Sequence, residues 1–266
     1  MVELSSPPPV RPSHEALQPL WQLAELGQEL EGALAGVYAH GNGQSEIARF
    51  RFLGPEASHP RIRLGLFAGV HGDEPAGPVA LARFAAALAA DPQRAAGYEL
   101  WLYPICNPCG CAKRVRENGN GCDLNREFWR ESTQPEVVIL EAELRQRRFD
   151  GLITLHTDDT CEGLYGYAHG RVLNEALLKP ALAAAERVLP RDRREHIDGF
   201  VACESVIRDC FPGVLAAPPE QHPRPFDLIF ETPGKADFEL QVQATVAALD
   251  SILAEYRGFI AYAQDI

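Results

Sequence analysis

Short apolar segments alternate with long helix-forming segments along most of this 266-residue sequence. The run IRLGLFAGV at residues 62–70 is apolar at every position except Arg63, as in a strand that is buried on both faces. An alanine-rich stretch from Ala76 to Ala90 follows it and has high helix propensity. Because strand and helix keep alternating, the sequence predicts an α/β fold in which helices cover both faces of a mainly parallel sheet.

The same alternation continues to the C-terminus, with strands predicted at 98–106, 151–156 and 226–232 and helices at 135–149, 172–189 and 237–256. Near the N-terminus, residues 33–39 and 46–53 predict a β-hairpin around the Gly-Asn-Gly turn at 41–43. This hairpin makes the predicted sheet mixed. We therefore expect a three-layer α/β/α sandwich with a mixed, mainly parallel central sheet.

One domain is predicted, because no linker or repeat divides residues 14–266. Residues 1–13 include a proline-rich stretch and are interpreted as an extended lead-in. An amphipathic helix is predicted after it, from Ser13 to Leu30.

Composition excludes several classes of protein. The chain is 46% hydrophobic and carries 25 basic against 37 acidic residues, for a formal net charge of −12. That balance fits a globular core and argues against a nucleic-acid partner, because non-specific affinity for nucleic acids depends on cations that contact phosphates. The sequence has neither a signal peptide nor an apolar run of membrane-spanning length, so we expect a cytoplasmic protein without a membrane partner. Its oligomeric state cannot be predicted.

Polar side chains follow several predicted strands, at the sheet edge where α/β proteins place their active sites. His71 and Glu74 come directly after the first buried strand, and the strand at 151–156 ends in His156. If a first helical turn begins there, His71 and Glu74 face one point. Two imidazoles and one carboxylate are a usual ligand set for one catalytic Zn²⁺ that also binds water. The alternative is a pair of histidines that cap or fill the core.

Glu231 ends the strand at 226–232, where a buried charge is costly unless it faces a site. It is the predicted general base, with a helix N-terminal acid as the alternative. The loop at 107–128 holds Arg114, Arg116 and Arg126, which can stabilise an oxyanion or bind a substrate carboxylate, or can be ordinary surface arginines.

The seven cysteines are an odd number and are expected to be free thiols. Cys106, Cys109 and Cys111 form the cluster CNPCGC, which contains a CxxC spacing. A second CxxC pair is missing, so a structural role is favoured over a metal or redox role.

The ordered motifs HGDEPAG, NPCG, DLNREF, LH and FETP resemble those of the zinc carboxypeptidase superfamily, in particular its succinylglutamate desuccinylase and aspartoacylase branch. The resemblance extends from about Leu64 to Leu249. It implies that His71, Glu74 and His156 bind one zinc ion. The chain lacks the tyrosine that carboxypeptidases commonly carry some twenty residues before the catalytic glutamate.

The resemblance also implies roles for the remaining motif residues. Glu231 matches the catalytic glutamate, and Arg116 matches the arginine that polarises the scissile carbonyl, although Arg114 competes with it if the loop register slips. Asn125 and Arg126 match the pair that binds the substrate's terminal carboxylate. Asp123 matches the acid that accepts a hydrogen bond from the first zinc histidine, an arrangement that fixes the tautomer of that ligand.

Tyr165 and Tyr167 follow His156 and are interpreted either as lining the substrate pocket or as strand core. The predicted reaction is hydrolysis of an amide next to a free carboxylate, in a small peptide or an N-acyl amino acid. The longer loop before DLNR favours a metallocarboxypeptidase over a deacylase. The same residues are also compatible with a zinc-binding module without activity and with an ester or lactone hydrolase.

Overall fold

The computed structural model of the protein describes residues 15–27, 29–41, 43–57, 60–169 and 172–264. Among these residues, ten strands form one sheet, namely β1 (Leu30–His40), β2 (Gly43–Leu53), β3 (Ile62–Phe67), β4 (Tyr98–Tyr103), β5 (Gly151–Asp158), β6 (Tyr165–Tyr167), β7 (His196–Ile197), β8 (Phe200–Cys203), β9 (Val206–Ile207) and β10 (Phe226–Pro233). The helices of the same ranges are α1 (Gln18–Leu26), α2 (Ala76–Ala90), α3 (Pro108–Lys113), α4 (Pro135–Arg147), α5 (Val172–Ala185) and α6 (Phe238–Gln264).

The sheet is mixed, with the strand order β1-β2-β4-β3-β5-β10-β6-β9-β8-β7. Strands β4, β3, β5 and β10 run parallel at its centre. The β1–β2 hairpin joins one side in antiparallel orientation, and β6 pairs antiparallel with β10 on the other. The predicted α/β architecture with a mixed sheet is confirmed.

Two hydrophobic layers cover the sheet, because successive side chains of a strand point to opposite faces. Ile153 of β5 packs in the layer formed with α2, α5 and α6. Its neighbour Leu152 packs in the other layer, with Leu140 and Leu144 of α4. Apart from the exposed Arg63 of β3, the parallel strands are largely buried on both faces, as their mainly apolar runs predict.

Helix α2 has the predicted bounds, whereas the first and last helices differ from prediction. Helix α1 ends at Leu26 because the backbone of Gly27 has an extended conformation. Leu30 already pairs with Phe52 in the β1–β2 hairpin. The predicted extension of that helix to Leu30 is therefore wrong. Helix α6 continues beyond the predicted end at Tyr256. The lead-in predicted at 1–13 lies outside the described residues.

Helix α3 and strands β7 to β9 were not predicted, because these elements are too short to show a hydrophobic period. Within the described ranges, no helix combines the length and hydropathy that a bilayer crossing requires.

Candidate functional site

A cavity of about 660 Å³ opens at the carboxyl ends of β3, β5 and β10. This is the edge at which open α/β sheets bind ligands. The cavity brings together seven of the predicted site residues, which are His71, Glu74, Arg116, Asn125, Arg126, His156 and Glu231. The eighth, Asp123, contacts three of them, His71, Arg116 and Asn125, from outside the lining.

His71 and Glu74 lie in the turn between β3 and α2, and α2 begins only at Ala76. Their expected position on a first helical turn is therefore wrong. A close approach of two backbone segments shapes this turn, since a Cβ atom on Gly72 would lie 1.9 Å from the carbonyl carbon of Gly110. Glycine permits that contact, so helix α3 packs directly against the turn.

The side chains of His71, Glu74 and His156, here called the ligand triad, converge on one point. His71 Nδ1 lies 2.5 Å from one carboxylate oxygen of Glu74, and His156 Nδ1 lies 2.9 Å from the other. All three side chains are buried, and one ligand atom from each lies within 4.8 Å of the other two. Two imidazole nitrogens and a carboxylate at this separation fit a divalent zinc ion.

The charges of the ligand triad favour the ionised carboxylate that a metal requires. Burial raises the pKa of Glu74, but the imidazoles of His156 and His71 outweigh burial and lower this pKa to about 2. The backbone N–H of Thr157 also donates to Glu74 at 3.1 Å. Hydrogen bonds to an ionised carboxylate stabilise its charged form, so Glu74 is fixed as an acceptor.

Asp123 connects His71 to Arg116. One Asp123 oxygen lies 3.2 Å from His71 Nε2, and the other accepts hydrogen bonds from Nε and Nη2 of Arg116 at 3.1 and 3.0 Å. Burial raises the pKa of Asp123, while His71 and Arg116 lower it well below its ordinary value. Because an ionised carboxylate only accepts, Nε2 of His71 donates its proton to Asp123, and the lone pair of Nδ1 would be available to a metal ion once Nδ1 has lost its own proton.

Of the two competing arginines, Arg116 lines the cavity and Arg114 does not. Arg114 is exposed and ends helix α3 with a positive φ of 56°. Arg116 Nη1 lies 3.8 Å from a Glu74 oxygen. A guanidinium beside the ligand triad has the position that oxyanion stabilisation requires.

Asn125 and Arg126 lie in a short 3₁₀ turn at Leu124–Arg126 and are held by the segment after β9. The backbone N–H of Leu215 donates to the amide oxygen of Asn125 at 2.8 Å, which turns the amide nitrogen toward His156. The guanidinium carbon of Arg126 lies 4.1 Å from the ring centre of Phe211. Sequence reasoning missed Leu215 and Phe211, because the segment that carries them matches no motif.

Glu231 lies on β10 between two strands that also reach the cavity. The strand register pairs it with His156 of β5 on one side and with Tyr165 of β6 on the other. Its residue is 8% exposed, and its carboxylate accepts no hydrogen bond from a described side chain or backbone group. Burial raises the pKa of Glu231 well above its ordinary value, and the charge of Glu74 raises it further.

Beyond Glu231 the cavity continues along four residues that we call the acidic wall, which are Asp158, Tyr165, Tyr167 and Asp198. The Tyr165 hydroxyl donates to Asp158 at 3.0 Å, and the Tyr167 hydroxyl donates to Asp198 at 2.5 Å. Both interpretations of the tyrosines therefore hold at once, since they are buried in strand β6 and also line the cavity.

All seven cysteines are free thiols. Cys106, Cys109 and Cys111 are buried, and burial raises the pKa of the Cys106 and Cys111 thiols. Ser45 Oγ lies 3.1 Å from Cys109 Sγ. In the described part of the chain, the ligand triad is the group with metal-binding geometry, and the CxxC cluster is not part of it.

Comparison with known families supports the resemblance. Residues 60–163 match the model of the succinylglutamate desuccinylase/aspartoacylase catalytic domain. The matched segment contains the ligand triad, Arg116 and the DLNR motif, and it ends before Glu231. The family resemblance is confirmed. No curated protein matches the chain at a significant level.

Solved structures share the fold. A candidate metallopeptidase from Shewanella baltica OS155 has a TM-score of 0.72 and 23% identity, with 88% of this chain and 89% of that chain covered. A metallo-carboxypeptidase from Burkholderia cenocepacia has a TM-score of 0.69 and 18% identity, with 91% of this chain and 68% of that chain covered. Carboxypeptidase A from Helicoverpa armigera has a TM-score of 0.65 and 16% identity, with 92% of this chain and 72% of that chain covered. The fold is therefore that of the metallo-carboxypeptidases.

Proposed function

We propose that the protein is a zinc-dependent hydrolase that cleaves an amide bond next to a free carboxylate. The observation that carries the proposal is one cavity lined by the ligand triad, by a buried carboxylate without a hydrogen-bond donor, and by two arginines. These are the groups that metal-assisted hydrolysis of an amide requires.

Each step of the proposed hydrolysis is assigned to a residue that lines the cavity. His71, Glu74 and His156 would hold a zinc ion, which would supply Lewis-acid activation of the carbonyl and of water. Glu231 takes the proton of the attacking water and gives it to the leaving amine. Burial raises the pKa of Glu231, and a carboxylate of raised pKa is a stronger base for the proton of the attacking water. Arg116 donates hydrogen bonds to the oxyanion that develops on the carbonyl oxygen.

Arg126 and Asn125 bind the free carboxylate of the substrate, a small peptide or an N-acyl amino acid. The guanidinium of Arg126 is held against Phe211, and the amide of Asn125 is oriented by Leu215. A planar guanidinium that is held in place suits bidentate binding of a carboxylate.

The leading activity is that of a metallocarboxypeptidase, which releases a C-terminal amino acid. The second candidate is an N-acyl amino acid deacylase, which the family match over residues 60–163 favours. Both substrates present an amide and a carboxylate to the same residues. Ester or lactone hydrolysis uses the same groups, whereas a module that binds zinc without activity leaves Glu231 and Arg116 without a role.

The test compares zinc-loaded wild type with Glu231→Gln, which keeps the size of the side chain and removes the base. We expect turnover of peptides or N-acyl amino acids to fall by about 10²–10⁴-fold while the zinc content stays at one ion per chain. Glu56→Gln is the matched control, because Glu56 is exposed and outside the cavity lining. Wild-type turnover in Glu231→Gln refutes the assignment of the base.

A further inference from the structure

The NPCG motif at residues 107–110 has no residue in the cavity lining, and the proposed reaction uses none of it. Its first residue, Asn107, is nevertheless 0% exposed. Asn107 precedes helix α3, and its Oδ1 accepts a hydrogen bond from the backbone N–H of Gly110 at 2.8 Å. This bond caps the helix, but a serine or aspartate oxygen would cap it equally well. Capping therefore accounts for the oxygen of this amide and leaves its nitrogen unexplained.

The amide nitrogen of Asn107 joins two segments of the candidate site. It donates to the backbone carbonyls of Val70 and Arg116, each at 3.3 Å. A side-chain amide has two N–H groups, so both find an acceptor here. Val70 directly precedes His71 of the ligand triad, and Arg116 is the arginine assigned to the oxyanion. One buried side chain therefore links the backbone next to a metal ligand with the backbone of Arg116.

Close backbone packing holds these segments at a short distance. A Cβ atom on Gly110 would lie 2.4 Å from Asn107 Nδ2 and 2.6 Å from the carbonyl oxygen of Glu117. On the other side, a Cβ atom on Gly72 would overlap with Gly110 in the same way. Because neither glycine carries a side chain, the turn after β3, helix α3 and the segment that follows α3 lie in direct contact. The Asn107 amide is bonded to all three.

Arg116 depends on such contacts, because it belongs to no helix or strand. Its guanidinium is oriented by Asp123, which accepts hydrogen bonds from Nε and Nη2. This ion pair sets the direction of the side chain but not the place from which it starts. The hydrogen bond from Asn107 acts on the main chain of Arg116, and the same amide holds the Val70 carbonyl. The guanidinium and the ligand triad are thus related through their backbones.

We propose that Asn107 is a positioning residue that fixes Arg116 relative to the ligand triad by bonding the backbone on both sides. Asn107 does not touch the substrate and acts through Arg116. Hydrolysis is sensitive to this placement, because an oxyanion donor misplaced by about 1 Å can cost about 10²-fold in rate. The inference rests on the proposed function, since it uses the role assigned to Arg116.

The first arm of the test compares the kinetics of Asn107→Ser with those of wild type. Serine keeps an oxygen that can cap α3 and removes both amide donors. We expect kcat to fall by about 10-fold or more with little change in KM, because Arg116 acts on charge that develops in the transition state. Asn174→Ser is the matched control and should keep the wild-type kcat. Asn174 is also buried, bonds two backbone groups through its amide and lies outside the cavity lining.

A double-mutant cycle then separates positioning from general destabilisation. Arg116→Ala alone should lower kcat by about 10²-fold or more, as the loss of an oxyanion donor does. Adding Asn107→Ser to Arg116→Ala should cost little further activity, because the side chain through which Asn107 acts is gone. The two changes should therefore be strongly non-additive. Losses that simply multiply overturn the positioning role.

The second arm measures hydrogen exchange of backbone amides by mass spectrometry, which needs no substrate. The N–H groups of Val115 and Asn118 are hydrogen-bonded within the loop at 110–122, so their exchange reports on the segment that carries the arginine. We expect peptides from this loop to exchange faster in Asn107→Ser than in wild type. The same peptides should exchange at the wild-type rate in Asn174→Ser.

The two arms distinguish the possible failures. Faster exchange in Asn107→Ser, in a protein that hydrolyses no substrate, supports the hold on this loop, and the proposed function is then the part that fails. Unchanged exchange, or a kcat no lower than that of Asn174→Ser, overturns the positioning role and leaves the proposed function standing.

Discussion

The ligand triad and the acidic wall lie in one cavity but bond their carboxylates to different kinds of partner. In the triad, Glu74 lies between two imidazoles, and Asp123 beside it accepts hydrogen bonds from Arg116. In the wall, Asp158 and Asp198 are bonded to tyrosine hydroxyls. The first arrangement fixes the charge and geometry of groups that hold a metal. The second orients two carboxylates through neutral donors and leaves their charge in place.

The two regions also differ in what the proposed reaction requires of them. Changes in the triad should abolish the reaction with every substrate, because all substrates need the metal and the base. Glu231 lies between the two regions, paired in register with His156 of the triad and Tyr165 of the wall.

The largest effect is expected from His156→Ala in the triad. Loss of one of three protein ligands should remove bound zinc at micromolar free metal and abolish measurable turnover. Zinc content by elemental analysis and turnover on the same sample test this. His196→Ala, at an exposed histidine of β7, is the control that should keep both. A His156→Ala protein with one zinc ion and wild-type turnover contradicts the ligand assignment.

A smaller effect is expected from Asp123→Asn, which keeps the shape of the side chain but removes its charge. The amide accepts a hydrogen bond from His71 less strongly, so zinc affinity should fall by about 10–100-fold. Competition with a chelator measures this affinity. Asp91→Asn, at an exposed aspartate before the 3₁₀ turn at Pro92–Ala95, should leave it unchanged. Equal zinc affinity in Asp123→Asn and wild type removes the role given to Asp123.

Residues that end predicted strands could be found from the sequence. His156 and Glu231 lie on β5 and β10, and each follows a continuous apolar run. Because parallel strands end at one edge of a sheet, their convergence follows from the predicted architecture. The bounds of α2 could also be predicted, because the helix coincides with a long stretch of strong helix formers.

Contacts made by irregular segments could not be found in this way. The turn at His71 depends on the close approach of Gly72 to Gly110, and both residues lie outside any periodic pattern. Phe211 reaches Arg126 across 85 positions of sequence, which no local signal records. Asp198 precedes β8, a strand of four residues too short to predict. The acidic wall is thus visible only in the folded chain.

A few-fold effect is expected from Phe211→Ala, which removes the ring that supports Arg126. The guanidinium gains freedom, so KM for a carboxylate substrate should rise by about 3–10-fold while kcat changes less. Steady-state kinetics on one substrate measure both constants. Phe259→Ala, at a partly exposed phenylalanine of α6, is the control with the same loss of a ring. A fall in kcat with unchanged KM contradicts a role in binding the carboxylate.

The smallest of the expected effects is a displaced midpoint in the pH profile of kcat/KM. Burial raises the pKa of Glu231, and the reaction needs its ionised form. Because a raised pKa means that the proton is held to higher pH, kcat/KM should fall as pH drops through a value above the ordinary glutamate pKa of about 4.3. A profile of kcat/KM from acid to neutral pH measures this midpoint. Activity that stays level down to about pH 4 contradicts the role of Glu231 as a buried base.

The most direct test of the central claim is a mass-spectrometric screen of the zinc-loaded protein against a mixture of short peptides and N-acyl amino acids, with Glu231→Gln as the control. We predict products from wild type alone, either free C-terminal amino acids from a carboxypeptidase or released acyl acids from a deacylase. No product of either kind from protein that holds one zinc ion per chain would contradict the proposed hydrolase activity.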